Sequence, residues 1–356
     1  MPGVTPTRSW QVTPAAFRTP ALAVIGLVAL LGVSEFMLRL PAVRAALYSP
    51  SVGSTSRAFE LQLDGLDHYA ASRDHVQCIV LGSSTAMMGV DPDALSSGYR
   101  ERTGNELQCF NFGVLGMTAS AAGAVAPILV NQYRPRLLIY VVSPRDVGQS
   151  VDGPLLANTP WVRYRRGQFS FNGWLTEHSA TFRYYLLYRQ WLDPVRWPAA
   201  RNRANSTGAG FFPMNSSMLL TPASWAHTQR TYAAIMNQPP SEPELAGLSR
   251  IMELAGNGTD VVVVEAPVHQ QLRRWTQHVS DFYVSATARI RQAARQHRVT
   301  FRRVPTWRVV PADGWADFVH LNRRGAARFS EWLGARIAVI VQEGRFKAPH
   351  ATLAQG

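Results

Sequence analysis

The sequence has little cysteine, a single lysine and few charged residues. Two cysteines, Cys78 and Cys109, are too few for a scaffold of several disulfides or for a zinc site of the four-cysteine kind. Charged residues make up 17% of the chain and hydrophobic residues 46%, which excludes an intrinsically disordered protein. The 356 residues suit one α/β domain with an insertion, or two small domains. The fold must therefore rest on packing, and no cofactor or metal is expected.

The net charge is +13, and its positive side is almost entirely arginine because Lys347 is the only lysine. A charge of this size could attract nucleic acid, anionic lipid or an acidic polymer. However, the arginines are scattered through ranges such as 163–203 and 273–308, without a helix-turn-helix, RNP or zinc-finger pattern. A solvated basic surface is therefore the favoured interpretation, and nucleic acid is not an expected partner.

The strongest segment-level signal is the apolar run Thr19–Leu38. Its only charge is Glu35, Arg39 follows it directly, and its length matches the hydrocarbon thickness of a bilayer. A cleaved signal peptide is the alternative, but the alanines that could form a cleavage site lie far behind the apolar run. A buried core helix is disfavoured because Ala21–Val33 shows no polar periodicity. The sequence predicts an uncleaved transmembrane anchor at 19–40, in contact with the lipid bilayer.

Arginines flank this segment on both sides in similar number, so the positive-inside rule does not decide its orientation. We expect the short N-terminus in the cytoplasm and the rest exported as one block, in a single-pass protein of the bacterial cytoplasmic membrane. The predicted organisation is a cytoplasmic tail at 1–18, the anchor at 19–40, a connecting segment at 41–72, an extracytoplasmic domain at 73–342 and a C-terminal tail at 343–356.

Five short apolar runs predict the strands of a sheet: Val76–Leu81, Glu106–Phe112, Arg136–Val142, Asp260–Glu265 and Val299–Val304. Strands separated by helical lengths are typical of βαβ units. The predicted fold class is α/β, a doubly wound, flavodoxin-like and mainly parallel sheet of about five strands with helices on both faces. A tryptophan-rich segment at about 150–255 breaks the rhythm. We expect it to form an inserted cap over the strand ends, although any one of its aromatics could simply pack the cap's own core.

Two turns at predicted strand ends have the composition of a reaction site. Gly82-Ser83-Ser84 follows the first strand, where glycine permits a sharp bend and a helix start points N–H groups at an anion formed there. Ser84 is thus placed like a nucleophile, although an ordinary helix N-cap would also be serine. Gly113 and Gly116 follow the second strand, where backbone N–H groups could approach a reacting carbonyl as in an oxyanion hole.

Asp317 and His320 lie on a loop that enters the last predicted helix. Their spacing allows the carboxylate to hold one imidazole nitrogen and leaves the other free to take a proton from a serine. Taken alone, the pair favours a surface Asp and His near a helix start.

Together, these blocks resemble the SGNH, or GDSL-type, hydrolase superfamily across about residues 76–338. The resemblance implies that Ser84 is the nucleophile, His320 the general base and Asp317 its orienting carboxylate. It also implies that Gly116 and the Ser84 backbone N–H are oxyanion donors. An N-terminal anchor on such a domain is similar to the branch that handles O-acylation of cell-surface polymers.

The chain departs from the family pattern in two places. Gly82-Ser83-Ser84 replaces the usual Gly-Asp-Ser, a mild change because the missing Asp is not the proton acceptor. The third block normally ends in Asn-Asp, whose Asn donates to the oxyanion, and here it is Arg145-Asp146. This donor is therefore replaced by Arg145, supplied from elsewhere or absent, and losing one such donor typically costs about 100- to 1000-fold in rate. Arg145 and Asp146 are predicted as oxyanion or substrate-binding residues.

The favoured function is a membrane-anchored serine ester hydrolase or O-acyltransferase that forms an acyl-enzyme. Its expected partners are an acylated small molecule or polysaccharide and a membrane protein that supplies or receives the acyl group. One alternative is a binding or assembly subunit that keeps the fold without useful catalysis, which Arg145 in place of the Asn motivates. Another is a basic surface protein for a polyanion, which would bind DNA in a salt-sensitive way.

Cys78 and Cys109 lie at similar depths in neighbouring predicted strands. A disulfide between them is conceivable in an exported domain, but buried free cysteines are the favoured interpretation. Asp91, His269 and His278 have no partner at diagnostic spacing and are assigned no function.

Overall fold

The computed structural model describes residues 15–40, 42–43, 47, 49–149, 152–191, 207–215, 221–236, 238–256 and 258–345. The two predicted tails lie mostly outside these ranges, since residues 1–14 and 346–356 are not among them. Within the described ranges the chain forms one sheet, the helices that cover it, and an apolar helix near the N-terminus.

Five parallel strands form the sheet, in the order β2-β1-β3-β4-β5. They are β1 Cys78–Gly82, β2 Cys109–Gly113, β3 Leu137–Val142, β4 Asp260–Glu265 and β5 Thr300–Arg303. The first four strands are buried along their whole length. Helices cover both faces of the sheet, and for this reason the strands are continuous apolar runs in the sequence. The predicted doubly wound α/β fold is confirmed, and most predicted runs begin slightly before the observed strands.

Fifteen α-helices are assigned in the described residues. In chain order they are α1 Ala15–Arg39, α2 Arg57–Ala71, α3 Ser84–Met87, α4 Pro92–Thr103, α5 Ala119–Tyr133, α6 Asp152–Ala157, α7 Pro160–Arg165, α8 Phe171–His178, α9 Ala180–Trp191, α10 Pro222–Met236, α11 Glu242–Met252, α12 Gln270–Arg273, α13 Gln277–Gln296, α14 Thr306–Val309 and α15 Arg323–Gln342. A 3₁₀ turn, Pro144–Val147, follows β3.

Alternate residues of each strand build two cores, one on each face of the sheet. On β1, Ile79 and Leu81 belong to the core that α2, α5, α11 and α13 cover. Cys78 and Val80 belong to the opposite core, which α4 and α15 cover. This period-two division follows from the pleat of the strand, and it leaves the carboxyl ends of the strands for chemistry.

Helix α11 lies at the C-terminal end of the predicted insertion at about 150–255. Leu248 and Ile251 of α11 are fully buried in the core beside α5, so α11 is one of the helices that cover the sheet. The described helices between β3 and α11 are α6–α10, here called the inserted part. Within it, Trp161 is buried against Phe59, as expected of a packing residue.

Helix α1 contains a 20-residue span, Pro20–Arg39, with a mean hydropathy of 2.3 and no part of it buried in the protein. It is long and apolar enough to cross a membrane. A signal sequence near the N-terminus has the same properties, so the helix is an anchor or a signal.

A disulfide joins Cys78 and Cys109. The two residues face each other in the register of β1 and β2, and their Cα atoms are 4.3 Å apart. The favoured prediction of free cysteines is therefore wrong. The similar depth of the two cysteines in neighbouring predicted strands pointed to this pairing, but the exact register of β1 against β2 could not be read from the sequence.

We expect loss of this disulfide to destabilise the fold. The bond closes a loop across a sequence separation of 31 residues. A loop of this length corresponds to about 3–4 kcal/mol of chain entropy in the unfolded state. The variant with both Cys78→Ala and Cys109→Ala should lose about this free energy of unfolding in a denaturant titration. Two titratable thiols in the unreduced, denatured wild type, with no loss of stability in the variant, would contradict the bond.

Candidate active site

The turn after β1 places Ser84 at the carboxyl edge of the sheet. Gly82 ends the strand so close to β3 and α3 that a Cβ atom there would lie 2.4 Å from the carbonyl oxygen of Val141 and 2.7 Å from Cβ of Ala86. Only glycine fits this approach. Ser84 then begins α3 and is 2% exposed.

The loop before α15 holds Asp317 and His320 in a fixed conformation. Oδ1 of Asp317 accepts hydrogen bonds from the backbone N–H groups of Val319 and His320, both at 2.7 Å. Asn322 caps α15 by accepting from the N–H of Gly325 at 3.0 Å. The local Asp-x-x-His turn and the helix cap therefore set the position of the imidazole.

Ser84, His320 and Asp317 form a continuous chain of hydrogen bonds. Nε2 of His320 is 2.9 Å from Oγ of Ser84, and its Nδ1 is 2.8 Å from Oδ2 of Asp317. Because an ionised carboxylate only accepts, Nδ1 carries the proton and Nε2 is free to accept from the serine hydroxyl. The three predicted residues are brought together in the arrangement that nucleophilic catalysis by serine requires.

The surroundings of Asp317 favour its ionised form. Burial alone would raise the pKa of Asp317, but the hydrogen bond and charge of His320, with the two backbone N–H groups, lower this pKa below its usual value. Asp317 therefore stays a carboxylate across the neutral range and holds His320 in the tautomer that accepts from Ser84.

Gly116 lies in the turn that follows β2, the strand next to β1. The N–H of Met117 donates to the carbonyl of Val114 at 3.1 Å, and Gly116 occupies the third turn position with φ +74°. This conformation favours glycine and describes a type II turn. The turn hydrogen bond does not use the N–H of Gly116, so its predicted role as an oxyanion donor stays a prediction.

Asp146 is fully buried beneath the Ser84 turn. Its Oδ2 accepts from the hydroxyl of Ser83 at 3.0 Å and from the backbone N–H of Ser143 at 2.9 Å. The carboxylate thus ties the turn after β3 to the turn after β1. The side chain of Asp146 has no exposed surface, and its predicted role as an oxyanion or substrate-binding residue stays a prediction.

Arg145 is held by two partners inside the protein. Nη1 donates to the hydroxyl of Tyr232 at 2.9 Å, and Nε lies 3.7 Å from Oδ1 of Asp146. Its side chain is 14% exposed. The guanidinium neutralises the buried carboxylate, and its role as a substitute for the missing Asn donor stays a prediction.

The buried charge of Asp146 should make stability depend on pH. Burial raises the pKa of Asp146 to about 6, although Arg145 and the hydrogen bonds from Ser143 and Ser83 act in the opposite sense. Between the usual carboxyl pKa and this value the native state binds more protons than the unfolded state, so stability falls as pH rises through this window. A shift of this size corresponds to about 2–3 kcal/mol.

We therefore expect the wild type to lose about 2–3 kcal/mol more stability than Asp146→Asn between about pH 4 and about pH 7. Denaturant unfolding of both proteins at the two pH values measures this difference. Asp313→Asn is the control, because Asp313 is exposed. Equal pH dependence in the wild type and Asp146→Asn would show that the carboxylate is not desolvated in the native state.

Sequence reasoning missed Tyr232, which belongs to α10 in the inserted part. It is 6% exposed, and burial raises the pKa of its phenol, with the charge of Asp317 acting in the same direction and that of Arg145 against it. Tyr232 therefore bonds Arg145 from the inserted part. No motif marks it, because α10 meets the loop only in the folded protein.

The inserted part also contributes Trp225, whose ring centroid is 4.7 Å from that of Phe318 in the loop. His269 also packs edge-on against this loop, with ring centroids 5.1 Å from Trp315 and 5.4 Å from Phe318. Burial lowers the pKa of His269, so it is neutral at neutral pH. No group of three or more potential metal ligands occurs among the described residues. The imidazole of His269 contacts the aromatic rings of Trp315 and Phe318 in the loop.

A cavity of about 860 Å³ adjoins the loop at the ends of β4 and β5. Trp315 belongs to both the loop and the cavity wall, and Trp307, 76% exposed, lies at the rim. Arg273 and Arg303 line it with Glu265, whose carboxylate is 3.4 Å from Arg303. The volume lies in the range of ligand sites, and the lining combines aromatic surface with excess positive charge.

No family model matches the chain, and no curated protein matches it. Several solved structures are similar at low identity. A carbohydrate acetylesterase family member from Sinorhizobium meliloti is 9% identical, with a TM-score of 0.37 over 76% of this chain and 100% of that one. A putative arylesterase from Agrobacterium tumefaciens is 12% identical, with a TM-score of 0.37 over 75% and 99%. A lipase/acylhydrolase from Enterococcus faecalis is 14% identical, with a TM-score of 0.35 over 78% and 100%.

Proposed function

We propose that this chain is a serine ester hydrolase or O-acyltransferase of the SGNH kind, which forms an acyl-enzyme on Ser84. The observation that carries the proposal is the hydrogen-bonded chain from Ser84 through His320 to Asp317 at the carboxyl edge of a doubly wound sheet. Gly116 and the Ser84 backbone N–H are the proposed oxyanion donors.

The proposed reaction has two steps. Nε2 of His320 takes the proton of the Ser84 hydroxyl while Oγ attacks the ester carbonyl, and the resulting imidazolium returns the proton to the leaving alcohol as the ester bond breaks. In the second step, His320 deprotonates water or a sugar hydroxyl, which attacks the acyl-enzyme carbonyl. The imidazolium then returns this proton to Oγ of Ser84 as the acyl–Oγ bond breaks, which regenerates the free serine. Water as acceptor gives an esterase, and a sugar hydroxyl gives a transferase.

The proposed substrate is an acylated saccharide of the cell surface. The cavity beside the loop offers Trp307 as an apolar platform and arginines as hydrogen-bond donors, a lining that suits a sugar chain. The apolar helix α1 supports a membrane anchor, and the Cys78–Cys109 disulfide supports an extracytoplasmic location, where disulfides persist.

Release and transfer of acetate test the proposal. The full chain in detergent micelles is incubated with p-nitrophenyl acetate or an acetylated oligosaccharide, with and without an unacetylated oligosaccharide as acceptor. Nitrophenol, free acetate and acetylated acceptor are then quantified. Ser84-dependent acyl loss from either substrate supports the function. If the folded wild type matches Ser84→Ala on every substrate, the alternative of a binding or assembly subunit takes its place, which the engagement of Arg145 by Tyr232 favours.

We expect Trp307→Ala to raise KM for an acetylated oligosaccharide about five- to tenfold, because the variant loses roughly one aromatic contact with the sugar. The rate on p-nitrophenyl acetate should stay the same, because this small ester does not extend to the cavity rim. Phe169→Ala is the matched control, since Phe169 is also 76% exposed but lies outside the cavity. Equal KM values for the wild type, Trp307→Ala and Phe169→Ala would mean that the oligosaccharide does not bind in the cavity.

A further inference from the structure

Large hydrophobic side chains that are exposed on the described chain outside α1 concentrate in one short stretch. Five of these nine residues lie between positions 169 and 188: Phe169, Phe171, Trp174, Tyr185 and Tyr188. A soluble surface normally exposes such side chains singly, so this group, here called the aromatic face, indicates an interaction site.

The aromatic face belongs to α8, α9 and the residues before them, and this part of the chain is docked on the end of α1. The carboxylate of Glu35 accepts hydrogen bonds from the first two backbone N–H groups of α9 at 2.9 and 3.0 Å and from the hydroxyl of Ser179 at 2.9 Å. One turn further along α1, Arg39 donates to the carbonyl of His178 at 2.6 Å. The junction of α8 and α9 therefore lies beside the last turn of the apolar span.

A row of rings leads from this junction along α8. Trp174 lies 5.5 Å from His178, and Phe171 stacks on Trp174 at 6.1 Å. With a rise of 1.5 Å per residue, Phe171 is only about 10 Å from the junction along the helix. The row thus starts at the level where α1 would leave the hydrocarbon core of a bilayer.

We propose that the aromatic face rests in the headgroup region of the membrane that α1 crosses, on the side of its Arg39 end. Tryptophan and tyrosine concentrate at this depth because their rings are apolar and their N–H and O–H groups need polar partners. The exposed Arg163 and Arg189 belong to the same part of the chain and can pair with lipid phosphates. The inserted part is thereby a second membrane contact besides the span.

Depth-dependent fluorescence quenching tests this contact on the full chain in vesicles of phosphatidylcholine and phosphatidylglycerol. Phe169→Cys and Trp307→Cys are labelled with the same environment-sensitive fluorophore, since both native side chains are 76% exposed and the native cysteines are joined in a disulfide. Leu27→Cys reports on insertion of α1. The quencher is a lipid with a nitroxide near its headgroup, or deep in its acyl chain for Leu27→Cys.

We expect the fluorophore at position 169 to be quenched several-fold more than that at 307, with the label at 27 quenched by the deep nitroxide. If the label at 27 is quenched but the labels at 169 and 307 are quenched equally, α1 is inserted in the bilayer and the aromatic face does not contact the membrane. This result would overturn the proposal. If the label at 27 is not quenched, α1 does not cross the bilayer, and the proposal fails because it requires that helix to be inserted. Shielding at 169 that grows with protein density, without nitroxide quenching, would instead indicate a second copy of the chain. Esterase activity is not a readout, so the test is separate from the proposed function.

Discussion

Ser84→Ala should reduce kcat/KM for p-nitrophenyl acetate by about four to six orders of magnitude, the largest effect expected of any single substitution here. The alanine keeps the helix start but removes the atom that attacks the carbonyl. No described hydroxyl besides that of Ser84 is seen within hydrogen-bond distance of Nε2 of His320. Initial rates of nitrophenol release over a range of ester concentrations measure the loss.

Two further variants make this prediction specific. Ser97→Ala, on α4 and outside the site, should keep the wild-type rate. His320→Ala should lose about as much as Ser84→Ala, and the double variant should lose no more, because the two groups act as a unit. Losses that multiply in the double variant would mean that Ser84 and His320 act independently, against the proposed mechanism.

Asp317→Asn should reduce kcat by about 10⁴-fold with little change in KM. The amide oxygen can keep the two backbone hydrogen bonds that Oδ1 accepts, so the loop should hold its conformation. The amide nitrogen would then face Nδ1 of His320 as a donor and force the imidazole proton onto Nε2. In that tautomer, His320 cannot accept the proton of Ser84.

Asp313→Asn is the matched control for this variant, since Asp313 is an exposed carboxylate of the same loop region, paired with Arg324. It should keep kcat within the error of the assay. If Asp317→Asn retains wild-type kcat while its fold is intact, Asp317 does not set the tautomer of His320, and the catalytic role assigned to the loop is wrong.

The fold was readable from the sequence because parallel strands covered on both faces are continuous apolar runs. Asp260–Glu265 was predicted at its observed bounds, and the other strands were displaced only at their ends. Val76 shows why the ends of strands are harder to predict than their centres. It is buried like a strand residue, but it lies before the first residue of β1 that pairs with a neighbouring strand. Periodicity reports burial, whereas strand ends depend on pairing.

The position of Ser84 followed from a rule of topology, and the contact of Asp317 with His320 followed from local spacing. The first could be predicted because the carboxyl ends of parallel strands meet at one edge of the sheet. The second could be predicted because an Asp-x-x-His turn brings its own two side chains together. The roles of these residues in catalysis stay predictions until activity is measured.

The remaining contacts join residues that are distant in the sequence. Asp146 was predicted as an oxyanion or substrate-binding residue from its place in the third family block, and its carboxylate accepts a hydrogen bond from Ser83 in the turn after β1. Tyr232 reaches Arg145 from an inserted helix, and Glu35 caps α9 across more than a hundred residues. The contacts of Tyr232 and Glu35 require the tertiary packing of the inserted part and of α1, and the contact of Asp146 requires the pairing of β1 with β3. No local pattern encodes these arrangements.

Covalent labelling shows whether Ser84 is an activated nucleophile. The full chain and its Ser84→Ala variant, both in detergent micelles, are incubated with a fluorophosphonate, and the intact masses are measured. The account predicts one added phosphonyl group on the wild type and none on Ser84→Ala. A folded wild type that gains no mass, or a variant that gains as much as the wild type, would contradict an activated serine at position 84.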